Sequence, residues 1–262
     1  MSEEEKELLK QRVQQIIEKA KKQEEPNSLD KLENSITNYK CDKCRDMLFI
    51  IQDDGTAKEC ECRSLRIAEE KLKASGVSEE FRKKTFENFN YEKSIETMEA
   101  FMKAKSYSKN FDEIRVTRKN SMMFLGQVGS GKTHLAIAIS NLLLDKGIGV
   151  IYMPYRDSIT NLKQSILDEE NYQREISKYK NSQVLLIDDL FKGRITESDV
   201  NIMYEIVNYR YFKNLPILIT SEKTVDDLIE IDEAIGSRLY EMSKNYVAEM
   251  IGDKLNYRIY GS

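Results

Sequence analysis

Residues 126–133, Gly-Gln-Val-Gly-Ser-Gly-Lys-Thr, have the spacing G-x-x-x-x-G-K-[ST] of a phosphate-binding loop. Gly126, Gly129 and Gly131 free the backbone to curl, so that successive N–H groups, that of Ser130 included, converge on phosphate oxygens. A helix starting near Gly131 adds its positive end. Lys132 is placed to reach the β- and γ-phosphates, and the Thr133 hydroxyl to ligate Mg²⁺. ATP with Mg²⁺ is the expected ligand. Such a loop serves kinases, motors, switches and assembly ATPases alike, so the rest of the chain must discriminate among them.

A second motif follows at 184–190, Val-Leu-Leu-Ile-Asp-Asp-Leu. Four apolar residues carry a strand through a sheet and deliver two carboxylates to its end. Asp188 is expected to hold Mg²⁺ through its water shell, and Asp189 to orient or deprotonate the attacking water. A third strand, in "ILITSE", ends on Thr220, Ser221 and Glu222. A polar side chain there can position the lytic water, and Ser221 and Glu222 are the candidates. Arg238, in "GSRL", lies on a short helix and is a candidate arginine finger for a neighbouring γ-phosphate.

The four cysteines form another constellation. Cys41-x2-Cys44 and Cys60-x-Cys62 are two close pairs joined by fifteen residues that read as strand, turn at Asp54-Gly55, strand. Two close pairs on a hairpin suit a tetrahedral Zn²⁺ with four thiolates and no open position, which makes the metal structural. A module this small has little core of its own, so zinc would supply much of its folding energy.

The elements that must position these groups follow from periodicity. Residues 3–23 carry Leu9, Val13, Ile16, Ile17 and Ala20 at helical spacing, ending at Pro26. A short helix and linker at 65–76 lead to a region where strands and helices alternate. That alternation predicts an α/β fold, a parallel five-stranded sheet with helices on both faces. The expected division is residues 1–75, helical and zinc-binding, and residues 76–262, the ATPase domain without a C-terminal lid. Charge is balanced near neutrality, 41 basic against 45 acidic residues, so nucleic acid would have to meet a local basic patch. No run approaches the roughly 18 apolar residues of a membrane span, and the acidic N-terminus lacks the apolar core of a signal peptide. A cytoplasmic location is expected, where cysteine pairs bind metal more often than they form disulfides.

Taken together, "FENF" (86–89), "GQVGSGKTHLA" (126–136), "YMPYRD" (152–157), "LLIDDL" (185–190), "NYRYFKNLPILITSE" (208–222) and "GSRL" (236–239) resemble the DnaC/DnaI helicase loaders, an AAA+ group related to the IstB transposition helpers. The resemblance covers residues 77 to about 250, and the cysteine module is similar to the zinc-bearing domain of DnaI-like loaders. It implies that Phe86 and Phe89 sit near the adenine, that His134 belongs to the nucleotide site, and that Arg238 is the finger. It implies a hexameric replicative DNA helicase and single-stranded DNA as partners, with self-assembly through the ATPase interfaces. Two positions depart from the group: Glu222 stands where it has Asn, and Met242 where many relatives have a second arginine.

DNA contact is expected from Tyr155, Arg156 and Lys163, which combine stacking faces with cations, helped by Tyr152, Lys178 and Lys180. The loader reading competes with a transposase-partner ATPase of the IstB kind and with a nucleotide-binding adaptor that does not turn over. A small-molecule kinase is more distant, because no arginine-rich substrate lid is visible.

Overall fold

In the computed structural model, residues 39, 41, 43–52, 55–60, 62–63 and 79–260 are described. The helix expected at 3–23, the segment 65–76 and the boundary at 75/76 lie outside them. By its contacts the chain divides into Met1–Asp46 and Met47–Ser262. In the first unit the Cys41 N–H donates to Asp46 Oδ1 (3.1 Å). The second unit contains the expected hairpin, β1 (Phe49–Ile51) antiparallel to β2 (Ala57–Glu59), with Ile51 opposite Ala57. Gly55 takes the left-handed conformation (φ 79°) that the turn needs.

From residue 79 onward the order is α1 (Glu79–Arg82), α2 (Ile95–Ile114), β3 (Met122–Gly126), α3 (Lys132–Asp145), β4 (Val150–Pro154), α4 (Tyr155–Ser165), α5 (Glu169–Asn181), β5 (Val184–Asp188), α6 (Glu197–Lys213), β6 (Ile217–Ser221), α7 (Val225–Ile231), α8 (Glu233–Ser243), β7 (Val247–Met250) and α9 (Tyr257–Tyr260). The expected five-stranded parallel sheet is present, in the order β4-β5-β6-β3-β7. Strands β3, β5 and β6 are buried along their whole length, which is why they read as unbroken apolar runs. Alternate side chains feed two cores. Phe124, Leu186 and Leu218 pack with α2 and α3 on one face. Leu125, Leu185, Ile187 and Ile219 pack with α4 to α8 on the other. Helices α2 and α5, absent from the sequence reading, start at polar caps: Ser94 in a capping box and Asp168 accepting from Asn171 N–H.

Arg210 on α6 is fully buried, and burial pushes its guanidinium down to about 9. Its Nη1 donates to the carbonyls of Tyr179, Lys180 and Ser182, and its Nη2 to Pro216 O (2.7 Å). It thereby ties the end of α5 and the entry to β5 to the entry of β6. Among the described residues, no helix is long and apolar enough to cross a membrane.

Candidate active site and cysteine centre

The phosphate loop joins β3 to α3 and is built almost entirely by its glycines. Gly126, Gly129 and Gly131 have φ of 124°, 72° and 97°. A Cβ on Gly129 would come within 2.1 Å of Asn256 Oδ1, and one on Gly126 within 2.3 Å of Met250 O. The loop is therefore pressed against the chain that follows β7, where the Tyr257 N–H donates to Gly129 O (2.9 Å). Gly131 is the N-cap of α3 and offers no side-chain acceptor, so the cap leaves the helix's first N–H groups to an anion. Lys132 is buried, its Nζ donating to Gly126 O (2.8 Å) and Gln127 O (2.7 Å). Burial lowers its pKa, against the opposing pull of Asp189 and Glu222. Ser130 donates to Gln127 O (2.9 Å), closing the curl. The loop lines a cleft of about 370 Å³ together with Asp189, Lys192, Glu222, Lys93 and Arg258.

Asp188 ends β5 as the hub of three hydroxyls. Thr133 Oγ1 (2.8 Å) and Thr220 Oγ1 (2.6 Å) donate to its Oδ1, and Tyr152 OH (2.9 Å) donates to its Oδ2. Burial and the adjacent carboxylate raise the Tyr152 phenol above its ordinary range, so it stays a donor. Thr133 and Asp188 stand where a divalent cation on the phosphates would need them. Asp189 has φ 57°, in the left-handed region, and its N–H donates to Thr220 Oγ1 (2.8 Å). Its carboxylate accepts from Lys192 Nζ (2.8 Å), which also lies 2.8 Å from Glu222 Oε1. These hydrogen bonds raise the Lys192 pKa.

Several expectations are corrected. Ser221 faces away from the cleft: it is fully buried, and its Oγ donates to Leu190 O (2.7 Å). Thr220 takes the bridging position instead. Leu218 and Leu186 are register partners, so Asp188 and Thr220, two residues on, share the α3 face. Strand alternation carried that signal. Phe86 is a core residue, edge-on to Phe101, whereas Phe89 lines the cleft and meets Gly131 and His134. His134 accompanies Phe89 in the lining. Both partners of its Nε2, Thr85 O (2.9 Å) and Asn88 Oδ1 (3.0 Å), are acceptors, so Nε2 carries the proton. Burial lowers its pKa and favours the neutral ring.

Tyr155 is no stacking face, being 2% exposed with its ring edge-on to Phe191. Lys163 is committed to the buried carboxylate of Asp199 (2.8 Å) and to Thr196 Oγ1, the capping pair of α6. Lys178 and Lys180 pair with Glu175 and Glu205, and Tyr152 serves Asp188. Arg156 keeps an exposed side chain, donating to Arg194 O (3.3 Å). Arg238 lies outside the cleft lining. Its guanidinium donates to Ala234 O (2.9 Å) and sits over the rings of Tyr204 and Tyr211, 5.4 and 5.5 Å from their centroids. The sequence reading passed over Lys192, which before Gly193 reads as a solvated turn residue.

Thr220→Val is expected to keep nucleotide affinity and slow hydrolysis roughly 10- to 100-fold, since one hydroxyl aligns both aspartates and bonds to charged groups contribute about 1.5–3 kcal/mol. Phosphate release and a binding titration on the same preparation separate the two effects.

The ligand atoms of Cys41, Cys44, Cys60 and Cys62 all lie within 4.8 Å of one another. Four sulfurs at about 2.3 Å from a tetrahedral zinc are about 3.8 Å apart, so the set fits that ion with little closure. The Cys60 N–H donates to Leu48 O (2.9 Å), and Leu48 is itself left-handed (φ 67°).

Residues 50–236 match the family described as IstB-like ATP binding protein. The chain is 34% identical over 267 residues to the phage-like element PBSX protein XkdC of Bacillus subtilis (strain 168), covering 97% of this chain and 99% of that protein. It is similar in structure to the DnaC helicase loader, with a TM-score of 0.56 and 22% identity over 66% of this chain and 99% of that one. It is also similar to DnaI, with a TM-score of 0.54 and 20% identity over 69% of this chain and 94% of that one. At these identities the two structures establish a shared fold.

Proposed function

The chain belongs to the IstB-like ATP binding proteins of the AAA+ class, and from that membership we propose that it is an ATP-dependent loader that places a hexameric replicative helicase on single-stranded DNA. One observation carries the reading most directly. Lys132, Thr133, Asp188 and Asp189 are gathered at one cleft, while Arg238 is held outside it on aromatic rings of α6. A site whose finger is displaced from its own nucleotide supports completion by a neighbour, which is how an assembly ATPase couples hydrolysis to ring geometry.

In this reading the loop N–H groups and Lys132 bind the phosphates of ATP, and Thr133 and Asp188 hold Mg²⁺, which supplies charge neutralisation there. Asp189 receives the proton of the attacking water, and Thr220 keeps the two aspartates in fixed relation. Cys41, Cys44, Cys60 and Cys62 hold a structural zinc in the module that meets the helicase. Arg156 contributes the cation toward DNA, with the weak, salt-sensitive affinity that phosphate contacts give. The cysteine centre favours the loader over a transposition helper, and the intact set of hydroxyls on Asp188 favours turnover over a silent adaptor.

Size-exclusion chromatography with a hexameric helicase, with and without ATP, tests the reading. Co-elution supports it, and selective co-elution with a transposase overturns it. Arg238→Ala is expected to retain ATP binding by the isolated chain and to lose assembly-stimulated hydrolysis by roughly 100-fold or more. Full stimulation of that variant would remove Arg238 from the finger role.

A further inference from the structure

Lys192 belongs to neither phosphate motif, yet its Nζ joins two carboxylates at the cleft, Asp189 Oδ2 at 2.8 Å and Glu222 Oε1 at 2.8 Å. One carboxylate follows β5 and the other follows β6, so the ammonium spans the ends of two neighbouring strands. The turn that carries it is fixed from several sides. Asp189, Phe191 and Gly193 all have left-handed backbone (φ 57°, 57° and 82°), and two of the three bear side chains that rarely adopt it. Phe191 is fully buried against Tyr155. The Leu190 N–H donates to Thr220 O (2.8 Å), and Leu190 O accepts from Ser221 Oγ (2.7 Å). The Lys192 N–H returns to Asp189 O (3.1 Å). Ser221 and Tyr155, corrected above, thus hold the turn that aims Lys192 at the cleft.

We propose that Lys192 is a latch on hydrolysis. It is a positioning residue that, in the unassembled chain, ties Asp189 to Glu222 and keeps Asp189 from receiving the proton of the attacking water. The restrained step is attack of water on the γ-phosphorus. In it a P–O bond to water forms, the bond to the β–γ bridging oxygen breaks with ADP leaving, and the water's proton passes to Asp189. Engagement with partners opens the latch, so turnover is low alone and rises on assembly. The proposal rests on the reading of the chain as an assembly-stimulated ATPase and names the residue that imposes the dependence.

The test is phosphate release by the full chain alone, with wild type, Lys192→Ala, Lys192→Arg and Glu222→Gln compared. Lys192→Ala is expected to raise partner-free turnover about 3- to 5-fold, the worth of a partly exposed ion pair, with affinity for a fluorescent ADP analogue unchanged. Lys192→Arg keeps the pair and the low rate. Glu222→Gln removes one arm and raises the rate less. With helicase and single-stranded DNA added, the ratio of stimulated to basal turnover shrinks in Lys192→Ala. A partner-free rate in Lys192→Ala at or below wild type, with ADP binding intact, overturns the latch. So does an absence of turnover in all four proteins. If Lys192→Ala does not bind ADP, a rate in Glu222→Gln at or below wild type overturns it. Helicase co-elution is read separately: its loss with an activated Lys192→Ala would refute the loader and leave the latch standing.

Discussion

Lys132→Ala is expected to lose ATP binding at least 100-fold and, with it, every ATP-dependent association of the chain. The ammonium is buried in the loop and held by Gly126 O and Gln127 O, so a short swing brings it to phosphate without ordering a free side chain. Two charge-assisted contacts at about 1.5–3 kcal/mol each give a loss of roughly 100-fold or more. Truncation also leaves two loop carbonyls without their donor, which loosens the curl that aims the N–H groups. Equilibrium titration with a fluorescent ATP analogue measures the effect. Affinity within threefold of wild type would show that the loop backbone alone holds the nucleotide.

Loss of the zinc proposed at the four cysteines is expected to have an effect as large, on helicase association and not on the nucleotide. Four thiolates held in one cluster have zinc affinities that correspond to about 10–16 kcal/mol in small zinc modules, most of it folding energy. Strong chelation, or Cys60→Ser, is therefore expected to abolish helicase co-elution while ATP binding at the sheet persists. Metal analysis of the native protein is expected to find one zinc per chain. Metal-free protein that still co-elutes with helicase would remove the centre from the interaction.

The sheet was legible because parallel strands buried on both faces leave unbroken apolar runs, and because Gly147 and Pro154 punctuate them. The phosphate loop was legible because its chemistry tolerates few residue types. The hydroxyls around Asp188 were less so. Tyr152 lies midway along β4 and Thr220 next to the end of β6, on strands either side of β5, and their convergence follows from strand order, which local pattern does not contain. Tyr155 and Lys163 misled for the opposite reason. An aromatic at the start of α4 and a cation in its last turn resemble a nucleic-acid surface, but their burial and pairing depend on Phe191 and Asp199, residues far along the chain. Helix α5 escaped because its sequence is polar on nearly every side and buries fully only Ile176.

Arg210 bears on the site from a distance. It fixes Pro216 at the entry of β6, where the Ile217 N–H is also taken by Ser121 Oγ (2.9 Å). Thr220 lies about 13 Å further along that strand. Neighbouring residues of a strand face opposite ways, so a slip of one position would turn Ser221 toward Asp188 and bury Thr220 on the far side. The choice of hydroxyl at the chemical centre is thus made at the opposite end of the sheet, by an arginine that serves as the datum from which the strand's height is measured.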